Sequence, residues 1–159
     1  MDWTPTESEI KKTNLWQSLQ IKNIHSYTDF HKWSCDKREE FWQFSIERLN
    51  IIFEKKPEKI LDLTNGPVQP RWLKGAKLNI TESCLKKDPS ANAIIYQKEN
   101  GEIKKMTYGE LNNLSNQIAN GLFENFKIGD AIAIDMLMNV ESVAIYLGII
   151  KAGMTVVSI

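Results

Sequence analysis

An α/β fold is predicted, and three observations predict it. Residues 131–159 read strand, helix, strand, with an apolar helix between two short apolar runs. Asn100-Gly101 sits between two alternating segments, the strongest short signal for a β-hairpin. All five tryptophans (Trp3, Trp16, Trp33, Trp42 and Trp72) precede residue 73, so an irregular helical lead-in is set apart from a regular α/β unit.

The elements follow in order. Thr6 and Glu9 have capping-box spacing and open a helix whose apolar side carries Ile10, Leu15, Trp16 and Leu19. Ser34 is the expected cap of a second helix. Phe41, Trp42, Phe44, Ile46 and Leu49 lie along one side of it, and Pro57 within "EKKPEK" ends it. "KILDLTNGPVQPRW" predicts two extended pieces around a turn at Asn65-Gly66, and its prolines exclude a central strand. In "RWLKGAKLNITESCL", Gly75 permits a turn, Leu78 and Ile80 alternate, and Thr81 or Ser83 begins a short helix.

"AIIYQ" and "IKKMTY" are the hairpin strands. Thr107 and Glu110 form a second capping box, opening a helix with Leu111, Leu114, Ile118, Leu122 and Phe126 as its buried stripe. "AIAIDM" is a strand and Asn139 the cap of "VESVAIYLGIIKA", which Gly153 stops. "MTVVSI" is the continuous apolar run of a strand buried on both faces, parallel to its predecessor through a right-handed crossover.

Composition narrows the function classes. Twenty basic residues balance twenty acidic ones, so no global field draws nucleic acid or anionic lipid. No apolar run approaches the roughly 18 residues of a membrane span, and "MDWTPTESEIKK" has no signal-peptide core. Cys35 and Cys84, far apart in sequence, fit a reducing cytoplasm.

Motifs with chemistry are few. Ser83 and Lys86 match S-x-x-K, but the companion S-D-N and K-T-G motifs of penicillin-binding enzymes are absent, so a plain helix start is the reading. Asn79 and Asn113 fall in glycosylation sequons that mean nothing without a secretory context. His25 and His31 lack zinc spacing and read as surface residues. The tryptophans read as packing rather than a stacking platform. Neither G-x-G-x-x-G nor G-x-x-x-x-G-K-[ST] occurs.

Taken in order, "YTDFHKWSCDKREEFW", "RWLKGAKLNITESCL", "MTYGELNNLSNQIANGL", "IGDAIAIDM" and "ESVAIYLGIIKAGMTVVSI" resemble the N-terminal part of acetyl-CoA and acetoacetyl-CoA synthetases. These are adenylate-forming, acyl-activating enzymes of the AMP-binding superfamily, and the version here resembles the plant peroxisomal kind most. The resemblance runs from Trp3 to Ile159. It implies an N-terminal extension over residues 1–88, followed at 89–159 by the hairpin and first βαβ unit of the large domain.

The family joins a carboxylate to coenzyme A with ATP and Mg²⁺, releasing AMP and pyrophosphate. Its phosphate loop, adenine-binding motifs and catalytic lysine match nothing here, so no catalytic, cofactor-binding or metal residue carries over to any position. The expectation is an N-terminal fragment of a synthetase, inactive and binding no cofactor alone, whose partner is the rest of the synthetase chain. The alternative is a free-standing, non-catalytic binding or regulatory module. Gly75, Trp72 and Leu78 are then a turn and its anchors, and Cys84 a small buried apolar residue rather than a reactive thiol. The strands over 131–136 and 155–159 would leave an open sheet edge, a template for self-association.

Overall fold

The computed structural model describes residues 4–159, so Trp3 lies outside the described residues. The chain forms two compact units. The first comprises residues up to Leu49 together with Lys59–Lys74, and the second comprises Asn50–Glu58 with Gly75–Ile159.

In the first unit, α1 (Glu7–Lys11) begins at the expected capping box, with the Thr6 N–H donating to Glu9 Oε2 at 2.7 Å. The helix does not continue through Trp16 as expected. It stops after one turn, and α2 (Asn14–Lys22) restarts with Thr13 as its cap. The Thr13 hydroxyl explains the break: it donates to the Ile10 carbonyl at 2.7 Å and accepts from the Trp16 N–H at 3.1 Å. Such a side chain offers the backbone partners that compete with a continuous helix. Only Leu19 of the expected face is buried.

The cap of the next helix, α3 (Tyr27–Asp36), is Ser26. Ser34 lies inside α3, and its hydroxyl donates back to the His31 carbonyl. A mid-helix serine has that acceptor within reach, whereas Ser26 stands in extended conformation with Asp29 three residues on. The helix α4 (Arg38–Arg48) then starts without a side-chain cap. It ends well before Pro57, because Asn50 takes the left-handed conformation (φ 52°) that turns the chain away. Phe30, Trp33, Phe41 and Phe44 form one aromatic cluster with ring centroids 5.3–6.2 Å apart. Trp42 and Leu49, assigned to the same side, are exposed. The strands β1 (Lys59–Asp62) and β2 (Arg71–Lys74) pair antiparallel, with Leu61 opposite Trp72.

In the second unit, Gly75 makes the expected turn at φ 75°. The alternation of Leu78 and Ile80 is not a strand. Lys77 makes a single bridge to Lys55, and Asn79, rather than Thr81 or Ser83, caps α5 (Ile80–Cys84). The Asn79 side chain works in both directions. Its oxygen accepts from the Thr81 N–H, and its amide donates at 2.8 Å to the Ile150 carbonyl near the end of the last helix.

The hairpin is β3 (Asn92–Gln97) and β4 (Ile103–Thr107). Its turn is not the two-residue type that Asn-Gly suggests. The Gly101 N–H bonds the Lys98 carbonyl, and only Gly101 has positive φ, giving a three-residue loop with glycine in the left-handed position. The capping box of α6 (Tyr108–Phe123) forms as expected, the Thr107 N–H donating to Glu110 Oε2 at 2.7 Å and the Glu110 N–H to Thr107 Oγ1 at 3.2 Å. Thr107→Ala is expected to cost about 1 kcal/mol, read as a lower denaturation midpoint; an unchanged midpoint would mean the helix is held from elsewhere.

After α6 come β5 (Ala131–Ile134), α7 (Val140–Lys151, capped by Asn139) and β6 (Thr155–Ser158). The two strands pair in parallel from Ala131 with Thr155 to Ile134 with Ser158. Gly153 ends α7 at φ 68°. The core of this unit is Ala119, Ile134, Ile149, Ala152 and Met154, with Leu122, Ile132, Ile145 and Val156 packed against it.

Two details differ from expectation. The buried residues of α6 are Leu111, Ser115 and Ala119, while Leu114, Ile118 and Leu122 are half-buried and Phe126 lies exposed beyond the helix end. Small residues draw α6 close to α7, which turns its contact face toward them. The strand β6 is also not covered on both faces: Val157 is 43% and Ile159 81% exposed. Among the described residues its only strand partner is β5.

Candidate functional site

Ligands of open α/β sheets sit beyond the carboxyl ends of the strands, which here means the residues after Ile134 and Ser158. The segment after β5 carries Met136, Leu137 and Met138, the last two 85% and 90% exposed, and then the Asn139 cap. That cap is closed on itself. Asn139 Oδ1 accepts from the Ser142 N–H at 2.8 Å, and Ser142 Oγ accepts from the Asn139 N–H at 3.1 Å. Beside it opens a cleft of about 760 Å³, lined by Ile94, Tyr96, Gln97 and Lys98 of the hairpin and by Leu137, Met138, Val140 and Val143. Its walls are largely apolar, with a few amides, Lys98 and two carboxylates, Glu99 and Glu141. It can receive an apolar group but presents no paired nucleophile and base.

The residues singled out from sequence are scattered. Ser83 is half-buried, and its Oγ accepts the Ile52 N–H at 2.9 Å. It is therefore a tie for the 50–58 segment rather than a nucleophile poised on Lys86. His25 and His31 are both exposed. Cys84 is exposed rather than buried; it is the last residue of the five-residue α5, whose buried residue is Thr81. Trp72 is 45% exposed and meets Trp42 edge-on at 5.6 Å, while Leu78 is 37% exposed, so the expected anchors are only partly covered. Among the described residues no group of three or more His, Cys, Asp or Glu could hold a metal ion. A second cleft, about 900 Å³, opens between α2, α4 and β1 and is lined chiefly by charged residues from Lys22 to Glu47.

At three glycines protein atoms stand close to where a Cβ would sit: Glu58 at Gly75, Pro89 at Gly109, and Ile118 with Ser115 at Gly148; at Gly66, Gly121 and Gly129 nothing lies within 4 Å. Among the described residues no buried side-chain nitrogen or oxygen lacks a partner.

Two polar groups stand out that sequence reasoning missed. Lys151 reaches from α7 to the side-chain oxygens of Asn112 and Asn116 on α6. Burial lowers its pKa, and the Glu82 charge works in the opposite direction. Asp62, at the end of β1, is 6% exposed. The Thr64 hydroxyl and N–H both donate to it, and Lys59 and Lys74 lie within 4.0 Å. The Thr64 hydrogen bonds come first among the causes that bring its carboxyl down to about 2, with the two lysines adding to them. D-x-T at a strand end was the only available signal, and it is common.

The sign of the pH effect follows. A carboxyl whose folded pKa lies below its unfolded value of about 3.9 stabilises the fold fully above that value and loses its contribution as pH falls toward 2. Asp62→Asn is expected to lower the denaturation midpoint at pH 6 and to converge with the parent chain near pH 2. A midpoint difference independent of pH would show that Asp62 is not held ionised.

Comparison with known proteins now decides what this arrangement belongs to. Residues 27–84 match the family described as "Acetyl-coenzyme A synthetase N-terminus", and residues 81–159 match "AMP-binding enzyme". The chain belongs to the acetyl-CoA synthetase-like AMP-binding enzymes. A probable acyl-activating enzyme 18, peroxisomal, of Arabidopsis thaliana is 35% identical over 99% of this chain and 24% of its own length. An acetyl-coenzyme A synthetase of Helicobacter pylori is 31% identical over 86% of this chain and 21% of its own.

The acetoacetyl-CoA synthetase of Streptomyces lividans has the same fold, with a TM-score of 0.84 at 22% identity over 99% of this chain and 26% of that one. The chain thus spans about a quarter of the length of these family members. The mixed helix and strand architecture is that of the N-terminal part of such a synthetase. No helix among the described residues is long and apolar enough to cross a membrane.

Proposed function

We propose that this chain is the N-terminal portion of an ATP-dependent acyl-CoA synthetase, and that it is catalytically silent alone. The whole enzyme would convert a carboxylate, ATP and coenzyme A into acyl-CoA, AMP and pyrophosphate, with Mg²⁺ on the phosphates. The observation that carries the reading is the succession of the two family matches across residues 27–159, within a chain a quarter as long as its relatives. The adenylation step needs groups aimed at the charge developing in its transition state, and the silence of the isolated chain rests on the family's phosphate-loop and catalytic-lysine motifs having no match in the sequence. In this reading residues 1–88 are the extension and 89–159 the start of the large domain, with the remainder of the synthetase as partner.

Acetate-dependent pyrophosphate release and ATP titration calorimetry on the isolated chain are expected to give nothing above blank. Magnesium-dependent turnover would overturn the proposal. The same reading makes the open edge of β6 sticky, since an uncovered strand pairs readily with another chain. Light scattering is expected to show dimers or larger species, reduced by Val157→Lys. The cytoplasm is the proposed compartment, on the strength of two free, exposed cysteines. Two relatives carry "peroxisomal" in their names, so a fluorescent fusion that separates the two compartments is the check.

A further inference from the structure

On α3, His31 and Cys35 are four residues apart and lie on one face, one above the other. His31 Nε2 and Cys35 Sγ stand 3.8 Å apart, and both residues are exposed. A tetrahedral ion with Zn–N near 2.1 Å and Zn–S near 2.3 Å spans an N···S separation of about 3.6 Å. The pair already stands close to that bite.

The helix that presents them is well anchored on another side, where Phe30 is buried and Trp33 packs on Phe41 and Phe44. Tyr27 lies against the His31 ring with centroids 6.1 Å apart. The bland alternative is a weak S–H···N contact, which uses the same rotamers and predicts no affinity for metal.

We propose that His31 and Cys35 form a two-ligand clip for a divalent ion of the zinc class, with its remaining positions open to water or an incoming donor. On ligation the thiol gives its proton to the buffer, and the imidazole binds neutral through Nε2 with its N–H on Nδ1. The metal stays divalent and nothing is oxidised. Two ligands are fewer than catalytic or structural zinc sites supply, so the ion exchanges freely. The clip is independent of the synthetase reading, since both of its ligands come from α3 alone.

The test is a Co²⁺ titration of the untagged, fully reduced 159-residue chain, followed by the near-ultraviolet thiolate-to-metal absorption and its bleaching by Zn²⁺. One Co²⁺ per chain is expected. The band should vanish in Cys35→Ser, weaken at least tenfold in affinity in His31→Ala, and persist in Cys84→Ser. Cys84, the other exposed thiol, has no histidine contact among the described residues and serves as the internal control. Circular dichroism confirms that each variant is folded. The clip is overturned if no band forms at millimolar Co²⁺, if His31→Ala binds as the parent does, or if Cys84→Ser is the variant that loses the band.

Discussion

Ile149→Ala is expected to destabilise the chain by about 2–5 kcal/mol. Ile149 has no exposed surface, and it lies in the core with Ala119, Ile134, Ala152 and Met154. Two of its four buried neighbours are alanines, so the vacated volume has few long side chains to collapse into it. The loss therefore combines the transfer term of the deleted groups with a cavity that stays open. Tyr146 on the same helix is 42% exposed, and Tyr146→Ala is expected to cost much less. Urea denaturation of both variants is the measurement. Equal losses would mean that α7 presents a different face to the strands.

Gly148→Val is expected to cost about 2–3 kcal/mol through overpacking, even though helix propensity opposes glycine. A Cβ at Gly148 would stand 2.6 Å from Ile118 Cγ2, 2.8 Å from Ile118 Cβ and 3.0 Å from the Ser115 carbonyl oxygen. None of these is the end of a flexible side chain: one is backbone and the others belong to a β-branched residue. Relief would have to come from parting α6 and α7, which breaks the contact that Ser115 and Ala119 make possible. Gly121 on α6 gives the opposite result, because its Cβ would meet nothing within 4 Å. Gly121→Ala is expected to stabilise by about 0.5–1 kcal/mol. If both substitutions moved the midpoint the same way, the close approach of the two helices would be wrong.

The candidate site was legible only as a direction. The rule for open sheets points to the carboxyl end of β5, and a cleft is present there, yet no motif named its lining. Ile94, Tyr96 and Lys98 come from a hairpin some forty residues before Leu137 and Met138. Such a meeting has no signature in local spacing. The long-range roles of Lys151 and Asn79 were illegible for the same reason. Asn79 reaches Ile150 across 71 residues, and Lys151 reaches Asn112 across 39.

Local chemistry was readable where one side chain and the backbone beside it settle the outcome. The Thr6, Thr107 and Asn139 caps, the Gly75 and Gly153 turns, and the parallel pairing of 131–134 with 155–158 all follow from residues within one turn or one βαβ unit. The sequence by itself thus determined the order and type of the elements after residue 92 and, through the succession of its blocks, the family. Tertiary structure decided which side of each helix is buried, because that depends on how closely a neighbour can approach. Gly148 and Ser115 set the approach of α7 to α6 and pull the contact off the large-residue stripe. It also decided which hydroxyl acts as a cap, since Ser26 and Ser34 are the same residue type and differ only in the acceptors the folded chain places within reach.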